Sequence, residues 1–72
     1  MWIRSQDGRC LIKASHIRIN GFDIEVLQSF GCSLIGKYST KEKALKVLDI
    51  IEDRLIYGVD FYQMPRDDEV EE

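Results

Sequence analysis

The chain has 72 residues, 44% of them hydrophobic and 32% charged, with a formal net charge of −3, five Gly and one Pro. This is the composition of a globular protein, neither collagen-like nor low in complexity, and the length predicts one domain. Little chain is left to wall a deep pocket once a core is built, which argues against most enzyme classes.

In chain order, residues 2–6 are rich in β-formers and run into Asp7-Gly8, a pair suited to the positive φ angles of a tight hairpin. A second strand is predicted at 10–14. His16-Ile17-Arg18-Ile19 alternates polar and apolar side chains, the mark of a strand with one wet and one dry face. Asn20-Gly21 is the strongest turn signal in the chain. Residues 23–30 alternate at first, with Ile24 and Val26 on one side, until Leu27 breaks the pattern. Gly31 opens another turn, and residues 33–38 read as a further strand. Because each turn is short, consecutive strands are predicted to pair as an antiparallel meander of about five.

The period changes at Ser39. Ser39-Thr40-Lys41-Glu42 fits a capping box, in which the Ser39 hydroxyl and the Glu42 carboxylate each accept from the other residue's amide. Residues 41–57 contain neither Pro nor Gly, and Gly58 suits the left-handed conformation that ends a helix. At ~100° per residue, Ala44, Val47, Leu48, Ile51 and Leu55 form one stripe flanked by Leu45 and Ile56. A helix is therefore predicted over residues 40–57, packed on one sheet face. A short last strand at 59–64 stops at Pro65, which has no amide hydrogen. The expected fold is α+β, with a domain at residues 1–65 and a disordered acidic tail at 66–72. One helix leaves the reverse face of an antiparallel sheet open, and so available to a partner.

Charge is separated along the chain. Residues 1–20 carry Arg4, Arg9, Lys13 and Arg18 against Asp7 alone, whereas residues 21–72 carry six basic and twelve acidic side chains. Cys10 and Cys32 lack the close spacing of metal knuckles or redox motifs, and His16 is the only histidine. The polar start of the chain and the absence of a long apolar run predict a cytoplasmic protein with reduced thiols and no membrane segment.

Three stretches carry a family likeness: Met1-Trp2-Ile3-Arg4-Ser5-Gln6-Asp7, the run from Gly36-Lys37-Tyr38 to Val47-Leu48-Asp49, and Tyr62-Gln63-Met64-Pro65. Together they resemble a family of short uncharacterised proteins of Gram-positive bacteria and their prophages. The resemblance implies a bacterial or phage cytoplasm. The family has no assigned activity, so no catalytic, cofactor or binding residue is implied.

The residues themselves offer few chemical constellations. A nucleophile and base would have to be Cys10 or Cys32 with His16, and a histidine on the wet side of a strand explains the latter. Asp49, Glu52 and Asp53 read as a solvated helix face. No catalytic, metal or cofactor residue is therefore predicted. Two binding surfaces are. Ile50 and Tyr57 lie seven apart, away from the helix's main stripe, and point to a protein contact, most simply a homodimer. Trp2, Arg4, Lys13 and Arg18 point, as the alternative, to a nucleic-acid-binding face of the sheet. The expected function is a small non-enzymatic interaction protein that self-associates.

Overall fold

A computed structural model describes residues 1–29 and 31–71. The elements in order are β1 (Trp2–Arg4), β2 (Leu11–Lys13), β3 (Ile17–Asn20), β4 (Asp23–Gln28), β5 (Gly31–Lys37), α1 (Lys41–Ile56) and β6 (Phe61–Gln63), followed by one 3-10 turn at Asp67–Glu69. Fold class is α+β, as expected. Phe30, the expected end of the fourth strand, lies outside the described residues.

The strands do not form one ribbon. They divide into an N-terminal sheet of order β2-β1-β6 and a central sheet of order β3-β4-β5. Consecutive strands pair antiparallel within each sheet, but β2 and β3 do not pair, and β6 returns to lie parallel to β1 with Trp2 opposite Phe61. The division has a packing reason. A flat sheet would leave Ile3, Ile12 and Tyr62 without cover, since sixteen helical residues cannot shield both regions. With two sheets, the inward residues Ile3, Ile24, Val26 and Ile35 share one core with Ala44, Val47 and Ile51 of the helix, all of them buried.

Turns differ from expectation in detail. Asn20 pairs with Asp23, so the β3–β4 loop is Gly21-Phe22, with Gly21 at φ 65° in the position that a left-handed backbone requires. The β1–β2 loop is longer than a tight hairpin, running from Ser5 to Cys10. It is held by the Ser5 hydroxyl donating to Asp7 Oδ1 at 2.6 Å and by the Arg9 and Cys10 amides donating to Asp7 Oδ1 and Ser5 Oγ. The Ser5 hydroxyl, then the Arg9 amide, hold the Asp7 carboxyl below its ordinary value.

The two sheets are joined by Gln6. Its amide donates to Ile35 O at 2.8 Å, its side-chain oxygen accepts from the Lys37 amide at 2.9 Å, and its side-chain nitrogen donates to Lys37 O at 2.9 Å and Pro65 O at 3.3 Å. The side chain thus imitates a peptide group on the edge of β5. Around it, Gln63 Nε2 donates to Ser5 O and the Tyr38 hydroxyl donates to Pro65 O at 2.8 Å. Burial pushes the Tyr38 hydroxyl far above its ordinary value, so it remains a donor. Gly36 admits the crossing: a Cβ there would meet Tyr38 Cε2 and Met64 Cε at 3.0 Å.

The helix starts one residue later than the expected box. Thr40, not Ser39, is the N-cap and accepts from the Lys43 amide at 3.2 Å, because the Ser39 amide is taken by Asp67 Oδ1 at 2.7 Å. At the other end Gly58 is left-handed, with φ 71°. The Val59 amide reaches Arg54 O and the Gly58 amide reaches Leu55 O, a Schellman close.

Residues 66–71 are docked rather than disordered; Glu72 lies outside the described residues. Val70 is buried in the core, Lys43 Nζ donates to Asp67 O, and Lys46 Nζ donates to Glu71 O. One apolar side chain among acids and a carboxylate aimed at the helix start are enough to hold the segment. The Ser39 amide, and after it the Ser39 hydroxyl and Lys43, hold the Asp67 carboxyl below its ordinary value against the opposing effect of burial. A group depressed in the fold stabilises it above the unfolded value, about 3.9 for Asp, and loses that contribution as pH falls through the folded value. Urea midpoints measured between pH 5 and pH 2 are thus expected to fall more steeply for the parent chain than for Asp67→Asn, the two converging at the acid end. Parallel curves would show that Asp67 does not latch the segment.

Candidate functional site

Register decides which side chains share the outward face of the N-terminal sheet. Trp2 lies opposite Lys13 and Phe61, and Arg4 lies opposite Leu11 and Gln63. Residues paired across strands point the same way, and Ile3 with Ile12 and Tyr62 takes the inward side. Trp2 is 45% and Phe61 50% exposed, and Leu11 is also exposed. The outward set is therefore two rings, a leucine, a glutamine and two cations, with no acid among the six. A shallow hollow beside them is lined by Arg4, Arg9, Leu11 and Phe61. Arg4 Nε donates to Gly8 O at 3.0 Å, which fixes the guanidinium at the rim of the face.

Of the predicted nucleic-acid residues, Trp2, Arg4 and Lys13 are brought together. Arg18 is not. It lies on the central sheet, where its Nε meets Glu25 Oε1 at 3.0 Å across the β3–β4 pair, and this contact raises its affinity for the proton. Phe61 was missed at the sequence level, since nothing local in residues 59–64 shows that β6 will lie beside Trp2.

The predicted protein-contact pair is also divided. Tyr57, at the helix C-cap, is 77% exposed. Ile50 is half-buried and lines an open groove of about 330 Å³ together with Tyr62, Pro65 and Val70 of the C-terminal segment. The free apolar surface lies on the opposite flank of the helix. There Leu45 and Ile56, three turns apart, are exposed, Ile56 to 73%. Beside that ridge runs a groove of about 380 Å³ between the helix and the β2–β3 connection, lined by Leu48, Ile51, Leu55, Met1, Ala14 and Ile17, with Glu52 at its edge.

Chemistry-bearing groups are dispersed. Cys10 and Cys32 are free and exposed, one before β2 and one on β5. His16 is exposed, and its carbonyl accepts from the Leu27 amide at 2.9 Å. Asp49, Glu52 and Asp53 lie on the exposed helix face. Among the described residues no group of three His, Cys, Asp or Glu side chains is placed to hold a metal ion, and no helix is long and apolar enough to cross a membrane. Comparison of the chain with protein-family models, curated proteins and solved structures finds no match in any of the three.

Proposed function

We propose that this chain is a non-enzymatic interaction protein that self-associates through the flank of α1, acting in the cytoplasm, where its two exposed thiols stay reduced. The observation that carries this reading is the ridge of Leu45 and Ile56 lying beside the Leu48–Leu55 groove on one surface. A patch holding both a ridge and a groove is self-complementary, which is what a two-fold dimer needs: each copy's ridge fills the other's groove. A standard interface takes roughly 800 Å² from each partner, about a sixth of the 4863 Å² of accessible surface here. The N-terminal sheet's outward face is a poorer dimer surface, since a two-fold contact there sets Arg4 and Lys13 of one copy against those of the other.

Sedimentation equilibrium at micromolar concentration is expected to report a dimer. Ile56→Lys, at an exposed position, is expected to give a monomer with unchanged circular dichroism. A parent chain that stays monomeric, or a dimer unmoved by Ile56→Lys and Leu45→Lys, would overturn the reading.

A further inference from the structure

We propose that the outward face of the N-terminal sheet is a binding site for single-stranded nucleic acid, with bases stacked on Trp2 and Phe61 and phosphates held by Arg4 and Lys13. The proposal does not rest on self-association, which uses another surface. Its first support is charge. The chain as a whole is acidic, with 13 Asp and Glu against 10 Lys and Arg, yet the six outward residues of this sheet include two cations and no acid. Arg4 and Lys13, like Arg9, Lys37, Lys41 and Lys46, make no ion pair among the described residues, but they are the two cations that share an outward sheet face with exposed rings. Two cations without a carboxylate partner, on a face cleared of acids, fit a ligand that brings its own negative charge.

The second support is the placing of the rings. Trp2 and Phe61 are register partners on adjacent strands, about 4.8 Å apart in the sheet. Lys13 flanks Trp2 on the other side, and Arg4 lies two residues along the same strand, about 6.6 Å away. Rings on an open sheet flanked by cations form a platform for unpaired bases, because every base has a face to stack and every step a phosphate to neutralise. An acidic peptide would use the cations but gains less from two flat rings whose neighbouring hollow is only shallow. A duplex hides its base faces. The Arg4 Nε bond to Gly8 O holds one phosphate-binding group in place before the ligand arrives.

Trp2 is the only tryptophan, so its fluorescence reads this face directly. Titration with a single-stranded thymidine oligonucleotide at low salt is expected to quench it. With two phosphates held, affinity should drop about sevenfold between ~50 and ~200 mM salt, from a slope of about −0.7 per phosphate. Phe61→Ala should weaken binding at least about fivefold, the lower end of a lost stacking partner. Arg4→Gln and Lys13→Gln, both at exposed positions, should each weaken binding and flatten the salt slope by about 0.7. Arg18→Gln, on the other sheet, should change nothing, and Ile56→Lys should leave binding intact while removing any dimer. No quenching at low salt overturns the proposal. So does equal quenching by polyglutamate, which would reassign the face to an acidic protein, or binding that Arg4→Gln and Lys13→Gln leave unchanged.

Discussion

Ile3→Ala is expected to cost about 2–5 kcal/mol, a large share of the roughly 4–11 kcal/mol typical of a domain of this size. Ile3 is fully buried and is the middle residue of a three-residue strand, the one β1 side chain turned inward against the core shared by both sheets and the helix. Its immediate neighbour gives the contrast. Trp2→Ala removes a larger side chain but from the outward face, and should cost about 1 kcal/mol or less, the worth of a cross-strand pair. Urea unfolding of the two variants by circular dichroism ranks them directly. If Trp2→Ala proved the more damaging, the assignment of faces in the N-terminal sheet would be reversed, and the binding platform would lose its rings.

The second large effect is expected at Gln6. Gln6→Ala leaves the Lys37 amide and two carbonyls without the partner that now joins the sheets, a loss of about 1–3 kcal/mol. Gln6→Glu should be worse than alanine above pH 5. Glutamate can still accept from the Lys37 amide, but it sets a carboxylate oxygen toward the Lys37 and Pro65 carbonyls where an NH₂ group stood. A melting-temperature series of parent, alanine and glutamate variants at neutral pH checks the order. Equal stability of all three would show that the Gln6 side chain adds nothing to the joining of the sheets.

What could be read in the sequence was what local chemistry controls. Strand alternation around Ile17–Asn20, the helix stripe through Ala44, Val47 and Ile51, and the Gly58 stop all stand as periodicity and turn chemistry imply. The sharing of a side by Trp2 and Arg4 follows from the period of two in any strand. Contacts made at a distance were not legible. Nothing within the Trp2 or Phe61 segments states that they will lie side by side, nor that Arg18, basic like its N-terminal neighbours, belongs to a different sheet. The same holds for the helix cap, which shifted from Ser39 to Thr40 because of a carboxylate far along the chain, Asp67. Acid-rich composition concealed Val70, which is buried in the core and lines one groove with Ile50.

The pairing of β1 with β6 has a consequence for the order of events at the ribosome. Gln6 and Pro65, joined by a hydrogen bond, are 59 residues apart. Translation proceeds at about 5–20 residues per second, so the first strand waits roughly 3–12 s before its parallel neighbour has been synthesised. During that interval β1 has only β2 of its two sheet neighbours, while the sequences of the central sheet and α1 are completed one after another. The β1–β6 pairing is therefore among the last contacts to form, and until then the outward indole of Trp2 and the inward side chain of Ile3 lack their neighbours on β6.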